Sequence, residues 1–249
     1  MKPLQHAQIS AKTYSGRWQD YIEIHSFLDS SKAACAHFKH RFLLHHLEGI
    51  QLGARIFGET AINSAGKTVE TRRLLTDHLI EDVGKIVGVQ DWALGLLPDE
   101  NNSFCKFLAK KREQIETDRI EGENELLESV FGLSKHDFIE IKKFLAFPLE
   151  NSQHPAALLV SHNSFAIFLA EKLFGHAFVK DKSATSNNSK KRFIAVREVF
   201  ERVIFLRLRS IYSPAEIIAR TKSKEWMRGA QASQAQAEKK RLAEGASAS

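Results

Sequence analysis

DYIEIHSFLDSSKAACAHFKHRFLLHHLEGIQLGARIFG, residues Asp20 to Gly58, lies without a gap on DFIEIKKFLAFPLENSQHPAALLVSHNSFAIFLAEKLFG, residues Asp137 to Gly175, when the chain is shifted by 117 positions. Twelve of the 39 pairs are identical, among them Asp20/Asp137, Glu23/Glu140, Phe27/Phe144, His37/His154, His45/His162, Phe57/Phe174 and Gly58/Gly175. Composition alone would give about 2 to 3. The match continues through a small insertion, with Arg73 to His78 set against Arg192 to Arg197, Asp82 against Glu201, and Asp91-Trp92 against Glu216-Ile217. The expected fold is therefore mainly α, with two similar helical units in tandem, each carrying a small β-hairpin. The expected boundaries are a His-rich unit at 1–98, a charged linker at 99–124, a degenerate second unit at 125–228 and a low-complexity basic tail at 229–249.

Each copy reads mainly as helix. Asp20 to Leu28 sets Ile22, Ile24, Phe27 and Leu28 near one side, the spacing of a packed helical face. Ser30 or Ser31 is placed to cap a long second helix up to Phe57, with Gly58 just past its end. Glu59 to Glu70 alternates around Asn63-Ser64-Ala65-Gly66 and reads as a short hairpin. A third helix is expected from about Thr71 to Lys85, and Asp91-Trp92 begins a last short one. Between the copies, Pro98 to Asn102 reads as a loop and the charged stretch Lys110 to Glu128 as a solvated helix.

Composition bounds the function. The chain has 249 residues, 43% hydrophobic and 27% charged, which excludes a disordered chain or a collagen. Only Cys35 and Cys105 are present, so neither a disulfide scaffold nor a four-cysteine zinc site is available. Both are expected to be small buried hydrophobes. Net charge is +6 and the pI about 9.3, a balance suited to RNA, anionic lipid or an acidic protein face. The most apolar stretch, Ala156 to Leu173, is broken by His162, Asn163, Glu171 and Lys172 and reads as a buried helix, so no membrane span is expected. The start has no apolar region of the secretory kind. Lys2, Lys12 and Arg17, with no acid before Asp20, give it a weak transit-like character, against which its His, Pro and aromatic content argues. An intracellular protein is expected, and a mitochondrial assembly fits the same features. The Ala/Gln/Ser-rich end, with Lys239, Lys240 and Arg241, has little to bury and should gain order only against a neighbour.

Eleven histidines are the unusual count. His25 stands four residues before Asp29. His37, His40, His45 and His46 are expected on the second helix, and His78, Glu81 and Asp82 share one face of the third. Imidazoles and carboxylates converging from several helices are the ordinary way to build a metal site in a helical domain. The candidate ligands are His25, His45, His46, His78, Glu81 and Asp82, for one divalent ion such as Zn, Fe or Mn. In the second copy His25 faces Lys142, His40 faces Ala157, His46 faces Asn163 and His78 faces Arg197. Cationic side chains there would repel a metal, so any chemistry belongs to the first copy. His45 and His162 survive in both copies and read first as packing hydrogen-bonders, then as ligands.

Other motifs are weaker. Asn63 to Thr68 lacks the first glycine of a phosphate loop. Lys190-Lys191-Arg192 would suit a phosphate or an acidic partner, or simply a solvated loop. No nucleophile-elbow motif accompanies a Ser-His-Asp set.

The first copy resembles an uncharacterised His-rich bacterial and phage domain family. The residues that carry the likeness are His6, the run Asp20 to His25, Asp29-Ser-Ser-Lys32, His40-Arg41, His45-His46, Phe57-Gly58, His78-Leu-Ile-Glu81-Asp82 and Asp91-Trp92, over roughly the first 95 residues. Leu75-Thr76-Asp77 departs from it, as does the lack of a proline near Val87-Gly88. The resemblance implies a domain and no particular reaction. Taken together, the expected role is a non-catalytic structural or interaction subunit whose partners are other protein subunits of a large assembly, with a vestigial or structural metal site in the first copy. The alternative is a metal-dependent hydrolase, in which Glu81 or Asp82 acts as general base toward a metal-bound water. RNA binding ranks last because no interleaving of aromatics with basic residues is evident. Contact with a membrane surface is compatible with the charge.

Overall fold

Pro3 opens a helix that the sequence reading did not anticipate, α1 (Pro3–Tyr14). Proline suits a first helical turn because its missing N–H is not needed there. The computed structural model describes residues 1–117, 119–179 and 193–229. It is mainly helical, with two separate two-stranded antiparallel sheets. The described residues form two compact units, Met1–Leu96 with residues 221–229, and Leu97–Arg220. Both differ from the expected boundaries: the 99–124 stretch packs within the second unit, and residues 221–229 belong with the first. Lys190-Lys191-Arg192 and the basic cluster at Lys239, Lys240 and Arg241 lie outside the described residues. Among those described, no helix is long and apolar enough to cross a membrane.

In the first unit α1 is followed by α2 (Ile22–Asp29), which buries Ile24, Phe27 and Leu28. The long second helix does not form. Residues Ser30–Ala33 and Phe38–Leu43 make two separate 3₁₀ turns, and a true helix, α3 (Leu47–Phe57), starts only after His46. The breaks have local causes. The His37 side chain accepts a hydrogen bond from the Lys39 N–H, and the His46 Nδ1 accepts one from the Gly49 N–H at 3.0 Å. Side-chain acceptors of this kind start helices and so interrupt longer ones. Gly58 (φ +86°) ends α3 in a conformation that side chains resist. The hairpin follows as expected, β1 (Thr60–Ile62) pairing with β2 (Thr68–Glu70), Ala61 opposite Val69. Asn63 Oδ1 accepts from the Ala65 and Lys67 N–H groups and shapes the turn. The next helices are α4 (Thr71–Val83) and α5 (Val89–Leu96). The Trp92 indole is fully buried and donates to the His45 carbonyl at 2.8 Å. Residues 221–229 return to this unit: the Lys222 N–H donates to the Leu96 carbonyl, and Trp226 lies 4.8 Å from Trp92.

The second unit begins with α6 (Ser103–Glu116), which buries Cys105, Leu108 and Arg112; the solvated helix expected over Lys110 to Glu128 does not form as one element, since α6 ends at Glu116 and Arg112 within that stretch is buried. Arg112 donates to the Ser152 carbonyl. After the short α7 (Glu123–Glu125) come α8 (Lys135–Ala146), α9 (Leu158–Ser161) and α10 (Ser164–Phe174). Gly175 ends α10 with φ +80°, as Gly58 ends α3. Then β3 (Ala177–Val179) pairs with β4 (Phe193–Ala195), followed by α11 (Val196–Leu208) and α12 (Pro214–Ala219).

The elements correct the sequence alignment after the hairpin. β1 and β3 keep the shift of 117, but β2 and β4, and α4 and α11, begin 125 residues apart. The difference of 8 arises because five residues separate β1 from β2 and thirteen separate β3 from β4. Arg192 to Arg197 therefore does not stand opposite Arg73 to His78. Asp82, the twelfth residue of α4, corresponds to Arg207, the twelfth of α11, and not to Glu201; His78 corresponds to Val203 and not to Arg197.

Candidate metal centre

Four buried side chains from three segments meet in the first unit. Asp29 ends α2, His45 stands two residues before α3, and His78 and Asp82 are one turn apart on α4. One ligand-type atom from each lies within 4.8 Å of those of the other three. Two ligands bound about 2.1 Å from a single ion stand about 3–4 Å apart, so a slight inward movement of the side chains closes the set around a cation.

The contacts already converge. His45 Nε2 lies 3.4 Å from Asp82 Oδ2 and 3.5 Å from Asp29 Oδ1. His78 Nε2 is 3.9 Å from Asp82 Oδ2. His45 Nε2, His78 Nε2 and Asp29 Oδ2 are buried without an aligned hydrogen bond. Buried polar atoms are nearly always paired. Imidazole nitrogens and carboxylate oxygens left facing one another therefore mark a place where a cation would complete their bonding.

Electrostatics hold His78, Asp29 and Asp82 in ligand form. Burial, reinforced by the neighbouring His45 and His6, pushes the His78 pKa well below the ordinary imidazole value. Burial likewise lowers His25 to about 3, with His6 adding to the effect. Burial disfavours the ionised Asp82, but His45, His6 and Arg41 outweigh it and hold the carboxyl far below its usual range. The same contest lowers Asp29, where His45 and Lys32 prevail over burial. Neutral imidazole and ionised carboxylate are the forms that bind metal.

Further groups orient this set. His25 Nδ1 lies 3.2 Å from His78 Nδ1, and its Nε2 lies 2.8 Å from Ser10 Oγ. Were His78 Nε2 to bind a cation, its Nδ1–H would donate to His25, whose Nε2–H would donate to Ser10. Such outer contacts fix the tautomer and the ring angle of a ligand. Lys32 Nζ sits 2.7 Å from Asp29 Oδ1, and Arg41 Nη2 donates to Asp82 Oδ2 at 3.0 Å. The Met1 amino group contacts Asp82 Oδ1.

The expected ligand set divides on this geometry. His45, His78 and Asp82 come together. His25 stands behind His78 and does not enter the four-residue group. Glu81 faces His6, its Oε2 2.5 Å from His6 Nδ1. His46 is turned away: its Nδ1 caps α3 and lies 3.2 Å from Glu48 Oε2. His45, read first as a packing hydrogen-bonder, has its Nε2 3.4 Å from Asp82 and 3.5 Å from Asp29, without aligned geometry on either ring nitrogen. Asp29 joins the group although it is not among the expected ligands; its place four residues after His25 on one helix was the available signal. His6 was missed because α1 was not anticipated.

The second unit holds a different arrangement at the corresponding place. His162 Nδ1 lies 3.2 Å from the Leu158 carbonyl oxygen and 3.0 Å from Ser161 Oγ, and its Nε2 accepts from Arg207 Nη1 at 3.2 Å. Arg207 donates to both carboxylate oxygens of Glu123, at 2.8 and 2.6 Å. All three side chains are buried. Arg197, once set against His78, instead pairs with Glu171 at the surface. Ala146 occupies the position of Asp29.

Residues 1–100 match a family described as Domain of unknown function (DUF6915). That part of the chain is thus similar to an uncharacterised domain. No curated protein and no solved structure matches the chain.

Proposed function

We propose that the first unit is a divalent-metal-binding module, and that the second is a diverged copy of it in which the Arg207 guanidinium stands where the cation would be. The observation that carries the reading is the meeting of Asp29, His45, His78 and Asp82, in which buried atoms of Asp29, His45 and His78 have no aligned hydrogen bond. The donor set is two imidazoles and two carboxylates with no thiolate, which suits Zn, Fe or Mn.

The ion serves the fold, and the whole chain is a non-catalytic subunit that docks on other proteins. None of the four residues is more than 5% exposed, which supports a structural ion, since catalytic sites keep one position open to water. The shared element order of the two units and their matching helix ends at Gly58 and Gly175 support descent from one duplicated unit. Phe168, Val179, Phe193 and Phe205 are exposed in the second unit, in keeping with a docking role.

Elemental analysis of the purified full chain tests the metal reading. About one equivalent of Zn, Fe or Mn per chain is expected, lost in His78→Ala. Protein that is metal-free and takes up none of these ions on titration ends it. The subunit role is tested by sizing the endogenous protein under native conditions, where a free monomer would count against it.

One observation favours a second reading, a metal-dependent hydrolase. Nitrogen and oxygen donors without cysteine are more typical of catalytic than of structural zinc, and Glu81 beside the group is only half-buried. A bound divalent ion would supply a water of lowered pKa, and Glu81 would be the base within reach.

A further inference from the structure

We propose that His6 is a fifth ligand of the ion, with Glu81 as its outer-shell carboxylate, and that the ion thereby fastens α1 to the rest of the first unit. The proposal rests on the metal-binding reading above and adds to it a residue outside the four-membered group.

Three observations carry it. First, His6 is fully buried and its Nε2 has no hydrogen-bond partner, yet it lies 3.3 Å from Asp82 Oδ1. The ring is stacked on His78, with centroids 3.8 Å apart, and its Nε2 approaches Asp82 at Oδ1 while those of His45 and His78 approach Oδ2 of the same carboxylate. Second, the other ring nitrogen is already engaged, with Glu81 Oε2 2.5 Å from His6 Nδ1. A carboxylate that takes the Nδ1–H of a histidine leaves Nε2 with a free lone pair and no proton, the arrangement that outer shells impose on metal-bound imidazoles.

Third, α1 has almost no apolar face with which to dock. Its buried residues are His6, Ala7 and Ser10, while Leu4 and Ile9 are exposed. Two of the three are polar. His6 reaches the ligand group directly, and Ser10 reaches it through His25. A twelve-residue helix is marginal in water without packing. The remaining side-chain ties of α1 are peripheral, such as Tyr14 to Asp77. An ion shared by His6 and Asp82 would supply a strong cross-link between α1 and α4.

Cobalt(II) is the probe, because its visible bands report both affinity and ligand number. The full chain, its His6→Ala variant and its His6→Gln variant are titrated with cobalt, and the protection of α1 amides is followed by hydrogen exchange. The expected result is that both variants bind cobalt about tenfold or more weakly with altered band intensity. In the cobalt-loaded variants α1 loses protection while α3 and α4 keep theirs. The glutamine variant preserves much of the buried volume, so it covers the case in which the alanine variant fails to fold. If the variants bind cobalt as the parent does, with the same spectrum and the same α1 protection, the fifth-ligand proposal is overturned and the four-residue site stands. If the parent chain binds no cobalt, the metal reading itself is lost, and this proposal with it.

Discussion

Arg207 donates to the Nε2 of His162 across 3.2 Å in the second unit, the position at which Asp82 meets the Nε2 of His45 in the first. Arg207 is the twelfth residue of α11 and Asp82 the twelfth of α4, and they bring opposite charge to a buried imidazole. Each charge is compensated. Asp82 faces imidazoles and Arg41; Arg207 is gripped by Glu123 through two parallel bonds, the geometry in which a guanidinium binds a carboxylate best.

The buried pair predicts an asymmetric mutational response. Removing one member of a buried ion pair leaves an uncompensated charge and costs about 3–5 kcal/mol, whereas replacing both by apolar groups of similar volume is often nearly neutral. Glu123→Gln should therefore destabilise the second unit by that amount. Arg207→Met combined with Glu123→Leu should recover most of the loss, even though His162 then loses a donor. Urea unfolding of the full chain checks this. A double variant as unstable as the single one would show that the pair does more than neutralise itself.

How much of this was legible follows from where the information sits. The frame of each unit was readable because it is local: apolar residues at helical spacing around Phe27 and Phe144, and a glycine after Phe57 and Phe174. The hairpin was readable from its turn residues. The broken second helix was not, because its interruptions depend on the side chains of His37 and His46 folding back onto the backbone, a choice that composition does not display. In the site, His45, His78 and Asp82 could be chosen from residue type and spacing. His6 could not be joined to them, because that required knowing that the unanticipated α1 packs against α4, and Asp29 had only its spacing from His25 to point to it. Asp82 was set against Glu201 because only a small insertion was allowed where the stretch between β3 and β4 is eight residues longer than that between β1 and β2.

His46 should prove to be a helix cap and not a ligand. His46→Asn is expected to be nearly neutral, since Asn163 caps α10 from the same position with Oδ1 accepting from Phe165 and Ala166. His46→Ala should cost about 1 kcal/mol, the usual loss for an N-cap. Metal content should be unchanged in both. Thermal unfolding with elemental analysis gives both quantities, and a loss of metal in His46→Asn would return this residue to the ligand set.

Arg41 ties the returning segment to the site. Its Nη2 donates to Asp82, while Nη1 donates to the Arg228 carbonyl at 3.1 Å and the Met227 carbonyl at 3.4 Å. Arg41→Met removes all three bonds and leaves Asp82 with less compensation. Residues 222–229 should then open more often, and trypsin should cut after Lys222, Lys224 and Arg228 several-fold faster than in the parent chain. Unchanged cleavage would mean that the remaining contacts, among them Trp226 on Trp92 and the Lys222 N–H on the Leu96 carbonyl, hold the segment without Arg41.

Acid should weaken the second unit in a window set by its buried histidines. Burial lowers the pKa of His154, and lowers that of His162 further, with Arg207 adding to the latter. The unfolded chain takes up protons on these rings near pH 6.5, while the folded chain does so only at lower pH. Between those limits the unfolded state binds more protons, so stability falls as pH falls. The contribution is complete above about pH 6.5 and is lost progressively below it. Hydrogen-exchange protection of α9 and α10 should accordingly decline from pH 7.5 toward pH 5, with the exchange rates corrected for their intrinsic pH dependence. His162→Gln should flatten much of that decline, because a glutamine keeps a polar side chain beside Arg207 without a titrating nitrogen. If the variant declines as steeply as the parent, the acid sensitivity arises from other groups, and the buried neutral state of His162 is not what sets it.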